Sequence, residues 1–307
     1  MKENINFLYC FDSNYNIQAF TSMISLLENT SKNINIYVIH SEDNFNSKVP
    51  KEILHHEKLS SLISYKFNDY KHEFPNIKNV HISVATYFRL FIKNYLPKNK
   101  KVFVFLDPDV VCVQDPINEI QDTIKKLNST EFTIAARTEH ISGVKRINVD
   151  DKYFNAGVMV IDFEKWQKKD FHEQLINKLK DLKNNIVQWD QDVLNSMLNG
   201  SYLELGEVLN FKAATKINKK SKAEVIFVHY MGSHKPWLTS GMFQEDANFY
   251  HSNFRSISKD SFHIEHKWRV RSLIDFLIAI FTFKIFRLNK PLIFMFEFVI
   301  SFLKDKK

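Results

Sequence analysis

Seven short apolar runs recur along this chain, and their spacing constrains the fold more than any other feature. Asn6–Phe11, Ile34–His40, Ile63–Phe67, Lys101–Leu106, Phe132–Ala136, Gly157–Asp162 and Val225–His229 are each of strand length. Several are apolar at consecutive positions, where a strand with one wet face would alternate. Between them Ile17–Asn29, Val84–Tyr95, Phe171–Asn184 and Asp190–Leu198 carry apolar residues at helical spacing, and Gly200 is placed to end the last of these. Strands buried on both faces and separated by helices predict an α/β fold with a mixed, largely parallel sheet covered by helices on both sides. A chain of 307 residues, 44% hydrophobic, supplies one such domain of about 250 residues plus an appendage. The division expected is a catalytic domain over 1–245 and a tail over 246–307.

The tail differs in character. Trp268–Leu288 and Pro291–Leu303 are dominated by Phe, Ile and Leu, with narrow polar rows at helical spacing: Arg271, Asp275, Ala279 and Thr282 in the first, Glu297, Ser301 and Lys304 in the second. Uninterrupted apolar runs fall short of the ~20 residues that span a bilayer, so the tail is expected to lie in a membrane interface as amphipathic helices. A helical hairpin packed on the catalytic domain, or on a partner subunit, is the alternative. The net charge of +7 is concentrated here: residues 267–307 hold nine Lys or Arg against three Asp or Glu. A basic surplus on an apolar tail predicts an anionic membrane surface as partner and argues against nucleic acid, whose ligands carry positive charge across a face of the folded domain.

The two cysteines, Cys10 and Cys112, each sit inside an apolar run. They are too few for a disulfide framework or a thiolate zinc site. The stretch after Met1–Asn4 is too short and too polar for a signal-peptide core, which predicts a cytoplasmic protein, peripheral on the inner face of the cell membrane through its tail.

The run Lys101–Leu106 delivers Asp107-Pro108-Asp109 at its carboxyl end, where open α/β sheets bind ligands. Residues two apart share a side of an extended chain, so both carboxylates can face one cation, which relieves their repulsion. Pro108 has no amide to give a ladder and marks the end of the strand. None of the six glycines forms a dinucleotide or Walker loop, so a bound diphosphate needs another partner. A carboxylate-held Mn²⁺ or Mg²⁺ would bridge phosphates and neutralise charge on a leaving diphosphate. His229 ends a strand and offers a third ligand, and a nitrogen donor beside carboxylates suits Mn²⁺. In the same segment Gly232 permits close backbone approach and Lys235 brings a positive charge.

Over residues 4–237 these pieces, taken with others in order, resemble the family 8 retaining glycosyltransferases, of the bacterial lipopolysaccharide galactosyl- and glucosyltransferase type. The segments are Phe11–Tyr15, His81–Leu90, Phe105–Asp109, Tyr153–Val158, Trp189–Asn195 and His229–Trp237. The resemblance implies a GT-A fold, UDP-galactose or UDP-glucose as donor, and transfer to a lipid-linked saccharide with retention of configuration. It implies Asp12 and Asn14 at the uridine, Asp107, Asp109 and His229 on the metal, and Gly232 and Lys235 at the diphosphate. Arg89, Asn155, Ala156 and Asp190 would surround the sugar, with Gln191 beside the anomeric carbon. An amide is a poor nucleophile, so front-side attack is expected, with the leaving phosphate taking the acceptor's proton. Pro108 and Ser233-His234 depart from the family pattern and alter loop shape. Arg137-Thr138-Glu139 lies near the acceptor side, but no acceptor residue is carried over.

Simpler readings exist for single residues: Asp12 as a helix cap, Asn155 as a turn residue, Arg89 as a surface ion-pair partner, and Asn210–Lys222 as a solvated loop. Two other functions share parts of the pattern. A haloacid dehalogenase-type phosphohydrolase also opens its nucleophile loop with apolar residues and Asp-x-Asp, but the chain has no downstream Gly-Asp-x-x-x-Asp. A catalytically silent membrane-surface UDP-sugar-binding protein would retain the same site.

Overall fold

The computed structural model describes residues 4–69, 74–75, 83–139, 152–182, 185–215 and 224–304. A seven-stranded sheet runs in the order β3-β2-β1-β4-β7-β6-β8. Its members are β1 (Ile5–Phe11), β2 (Ile34–His40), β3 (Leu59–Lys66), β4 (Val102–Leu106), β6 (Ile134–Thr138), β7 (Phe154–Asp162) and β8 (Leu203–Glu204). β1 pairs parallel with β2 and β4, and β2 with β3, while β7 runs antiparallel between β4 and β6. A second sheet, ordered β5-β10-β9, is made of β5 (Val110–Cys112), β10 (Phe227–His229) and β9 (Phe211–Lys212).

The strand pattern follows from burial on both faces. Alternate residues of β1 enter different cores: Leu8 and Cys10 pack with Tyr37, Phe88 and Phe103, whereas Phe7 and Tyr9 pack with Ile36, Val104 and helix Asn16–Asn29. Both cysteines are buried and free, and burial pushes both thiols up. The edge strand β3 is only partly covered, and it begins four residues before the expected start at Ile63. Its apolar signal was diluted by Ser60, Ser61 and Ser64.

Two local departures bear on the site. Val84–Tyr95 is a 3₁₀ run, Val84–Phe91, followed by one α-turn, Ile92–Tyr95. Arg89 Nε donates to the Thr86 carbonyl at 3.2 Å, competing with the backbone for that acceptor. The helix Trp189–Leu198 ends on Asn199, which takes the left-handed conformation (φ 42°) one residue before the expected Gly200 (φ 78°).

The polypeptide beyond residue 245 first forms a helix, Ala247–Ile257, whose Tyr250 and Phe254 share a core with Trp237 and Leu238. A hairpin follows: helix Arg269–Phe281, a 3₁₀ turn Lys284–Arg287, and helix Pro291–Lys304. Among the described residues no helix is long and apolar enough to cross a membrane. Part of each narrow polar row, Asp275 and Ala279 in the first and Glu297 and Ser301 in the second, faces the rest of the molecule, while Arg271, Thr282 and Lys304 are exposed. Glu297 accepts the amides of Ser261 and Phe262, both at 2.8 Å, Ser301 bonds His266 at 2.9 Å, and Asp275 accepts from Thr239 at 3.3 Å. Beside them Phe276 and Phe298 stack at 4.0 Å and pack with Phe294, Met242 and Phe243. The outer flanks are apolar and bare: Phe281 is 80% and Phe283 73% exposed, with Phe286, Leu292, Phe296 and Leu303 also exposed.

Candidate active site

At the carboxyl ends of β1 and β4 lies a cavity of about 460 Å³. That volume falls within the range of small-molecule sites. Its centre is built by strand pairing. β4 hands the chain to Asp107-Pro108-Asp109, which leads directly into β5, and β5 pairs antiparallel with β10 so that His229 stands opposite Val110. Asp107, Asp109 and His229 are thereby brought together, each offering a ligand atom within 4.8 Å of the others. Gly157 of β7 backs this group. A Cβ there would lie 2.1 Å from His229 Cε1 and 2.9 Å from Asp107 Oδ2, so any side chain would displace two of the three.

A chain of hydrogen bonds with fixed polarity sets the tautomer of His229. The Gly157 amide can only donate, and it donates to Asn155 Oδ1 at 3.0 Å. That oxygen also accepts from Asn210 Nδ2 at 3.1 Å, so Asn210 Oδ1 is turned to His229 Nδ1 at 2.9 Å. An amide oxygen accepts only, so Nδ1 carries a proton and Nε2 is the nitrogen turned to Asp109, 3.3 Å from its Oδ1. An imidazole whose distal nitrogen is held in this way is oriented as a metal ligand. The residues therefore fit a divalent cation: two carboxylates, one imidazole protonated at Nδ1 and a glycine that leaves room.

Two cations, Lys235 and Arg89, pair with the carboxylates of the cleft. Lys235 Nζ pairs with Asp109 Oδ2 and donates to the Tyr230 carbonyl at 2.7 Å. Burial raises the Asp109 carboxyl, but Lys235 and His229 outweigh it and hold it below the ordinary range. Arg89 NH2 lies 3.0 Å from Asp107 Oδ1, and Nε lies 2.7 Å from Asp190 Oδ2, a close ion pair without an aligned hydrogen bond. Its NH1 donates to the Ala156 carbonyl at 2.6 Å, and the guanidinium lies over Phe105. Burial pushes Asp107 up, with Arg89 opposing. Burial also pushes Asp190 up to about 6, against Arg89 and a hydrogen bond from Thr86.

Of the residues expected from sequence, Asp12, Arg89, Asp107, Asp109, Asn155, Ala156, Asp190, Gln191, His229, Gly232 and Lys235 all line this one cavity. Asn14 does not; its backbone amide donates to Asp12 Oδ1 at 3.0 Å and its side chain turns to the same carboxylate. Arg89 is buried and pairs with interior carboxylates, which replaces the reading of it as a surface ion-pair partner. Asp12 does cap the 3₁₀ turn Ser13–Tyr15, and it also receives Ser83 Oγ. Gln191 Oε1 accepts the Ala156 amide at 3.0 Å and Asn155 Nδ2 at 3.3 Å, leaving Nε2 toward Tyr153 Oη and Glu139.

Sequence reasoning gave no role to Asn210, Thr86, Tyr153 or Asp192. Tyr153 donates to Asp192 at 2.6 Å, and Asp192 accepts the amides of Val187 and Gln188, both at 2.7 Å, which fixes the start of the helix bearing Asp190 and Gln191. Three of the four sit inside segments already singled out. Asn210 is fully buried within what reads as a polar, lysine-rich stretch, so local composition gave no signal for it. The rest of that stretch, 216–222, lies outside the described residues, as do His81 and Ile82.

Comparison with known proteins agrees with this architecture. The chain is 26% identical over 274 residues to general stress protein A of Bacillus subtilis, covering 81% of this chain and 93% of that one. It is 28% identical over 268 residues to lipopolysaccharide 1,3-galactosyltransferase of Salmonella typhimurium, covering 80% and 77% respectively. The crystal structure of galactosyltransferase LgtC in complex with donor and acceptor sugar analogues superposes with a TM-score of 0.66 at 21% identity, covering 87% of this chain and all of that one, and so shares its fold. The model of glycosyl transferase family 8 matches residues 6–241, the whole span of both sheets and the cleft, and the chain belongs to that family.

Proposed function

We propose that this protein transfers a hexose, galactose or glucose, from its UDP-sugar to a saccharide acceptor with retention of configuration. The observation that carries the reading is the arrangement of Asp107, Asp109 and His229, with Nε2 of the imidazole presented by a relay that begins at a backbone amide. When bound, Mn²⁺ or Mg²⁺ would supply Lewis-acid neutralisation of the diphosphate. Lys235 exchanges its carboxylate partner for a phosphate oxygen, Gly232 leaves space for the diphosphate, and Asp12 and Asn14 meet the uridine. Arg89 sets the Asp107 and Asp190 carboxylates in place, and these with Asn155 and Ala156 surround the sugar. Gln191 is held by two donors on its oxygen, which supports a positioning part at the anomeric carbon and front-side attack, the leaving phosphate taking the acceptor's proton.

The acceptor proposed is a lipid-linked saccharide, a lipopolysaccharide or other cell-surface glycan precursor, a reading supported by the name of the Salmonella typhimurium relative, a lipopolysaccharide 1,3-galactosyltransferase. The exposed apolar flank of the hairpin, bordered by Arg269, Lys284, Arg287 and Lys290, supports docking on an anionic membrane surface at the cytoplasmic face. In this reading residues 1–245 form the catalytic unit, and 246–307 attach and orient it.

UDP release from UDP-galactose and UDP-glucose, with Mn²⁺ or with EDTA, tests the proposal. Release should need metal and fall roughly 10²–10³-fold in Asp109→Asn. Nucleotide-sugar binding indifferent to metal would overturn it, and binding with no turnover would favour the silent binding protein.

A further inference from the structure

We infer that a second, smaller cavity, at the base of the hairpin, is a seat for a pyranose ring of the acceptor. It encloses about 190 Å³ between the segment Ser233–Ser240 and the start of helix Arg269–Phe281, and Ser233 lines both it and the main cleft. The inference deepens the proposed transfer and rests on it: an acceptor chain must approach the anomeric carbon from a neighbouring site, and this cavity is one residue away.

Its chemistry is that of a surface for a neutral sugar. A pyranose presents hydroxyls that donate and accept, together with an apolar C–H face. The cavity offers the half-exposed indole of Trp268 (51%), the carboxylates of Glu265 and Asp275, and hydroxyls at Thr239 and Ser240. The carboxylates are held in place by neighbouring side chains. Glu265 Oε1 accepts from Gln18 at 2.8 Å and faces His263 at 3.2 Å, while Asp275 is anchored by Arg271 at 2.9 Å and Thr239 at 3.3 Å. Such fixed acceptors cost little to order on binding.

Competing occupants fit less well. Lys267 and Arg271 are balanced by Glu265 and Asp275, so the wall carries no surplus of positive charge for a phosphate. Two carboxylates also make it unsuited to an acyl chain. The exposed apolar residues Phe281, Phe283, Phe286, Leu292 and Phe296 of the hairpin are not among those that line the cavity, so lipid contact and sugar contact would use different residues of one element.

The test uses the full-length chain and the indole N–H resonances of its four tryptophans. The Trp268 signal, assigned with Trp268→Phe, is followed during titration with the methyl pyranosides of glucose, galactose, mannose and N-acetylglucosamine, and separately with inorganic phosphate. Titration runs to about 50 mM, above the millimolar Kd that one ring can support. A saturable shift with at least one glycoside is expected, with affinity reduced roughly tenfold in Glu265→Gln and in Asp275→Asn, both of which keep the Trp268 signal. A signal unmoved by all four glycosides, or moved by phosphate alone, overturns the assignment. UDP release separates this from the parent reading: turnover without a Trp268 shift removes the cavity's role only, and a shift without turnover leaves a saccharide site on a protein that is not the proposed transferase.

Discussion

The cleft and the hairpin invert the usual distribution of polar and apolar groups, each in its own way. In the cleft Arg89, Asp109, Asp190 and His229 are buried, and each is held by a partner of opposite charge or by a directed hydrogen bond. On the hairpin Phe281, Phe283, Phe286 and Leu292 are left in solvent, while Glu297, Ser301 and Asp275 face inward. Burying charge costs several kcal/mol per ion unless it is paired, and exposing apolar surface forgoes about 25 cal/mol per Å². A fold tolerates either cost where a ligand relieves it. The difference matches the two proposed partners: a polyvalent charged ligand for the cleft, an apolar surface for the hairpin.

The sharpest division lies within the hairpin itself. Phe298→Ala should cost ~3–5 kcal/mol, read as a fall in Tm, because the ring is buried and stacked on Phe276. If the hairpin unfolds alone while UDP release survives, the two regions are independent units. A smaller effect is expected from Asp190→Asn. The folded carboxyl has its pKa at about 6, above the ordinary 3.8, so its contribution to stability is full below the ordinary value and is lost as pH rises through 6. The stability of the parent relative to the variant should therefore fall by up to ~3 kcal/mol between about pH 4 and pH 7.5, measured by thermal melts. A pH-independent difference would show that Arg89 fully compensates the burial.

Next, Asn210→Ala should weaken Mn²⁺ binding, followed by electron paramagnetic resonance, about 10–100-fold. An unchanged affinity would mean that the relay does not govern His229. The smallest effect belongs to Phe281→Ser with Phe283→Ser. Stability should stay within ~0.5 kcal/mol, since both rings are exposed. Sedimentation with anionic vesicles should drop roughly tenfold. Vesicle binding that persists would break the comparison, and loss of stability instead would identify the flank as a protein interface.

Much of the cleft was legible because its residues sit at strand ends, which periodicity locates. Asp107 and Asp109 come at the end of the apolar run of β4, on the side where parallel strands gather their ends, and His229 closes the run Val225–His229, brought to them by the antiparallel pairing of β10 with β5. Asn210 was not legible. Its role comes from lying between Asn155 and His229, residues 55 and 19 positions away, and nothing local marks it. Asn14, expected beside Asp12 at the uridine, also donates its amide and its side chain to the Asp12 carboxylate, a local bond that the motif segment by itself does not reveal. The hairpin's spacing predicted two helices correctly, yet the facing of their polar rows depended on Ser261, Phe262 and His266, which no helical wheel includes.

By itself, the sequence determined the sheet-forming runs, the paired carboxylates and the apolar, basic end of the chain, since these depend on residue type and spacing along one strand or helix. Tertiary structure decided which nitrogen of His229 faces the carboxylates, which residues share the burial of Arg89, and which side of the hairpin meets the catalytic unit. Those outcomes turn on the direction of hydrogen bonds and the burial of charge between residues far apart in the chain. Such properties exist only once the strands are paired.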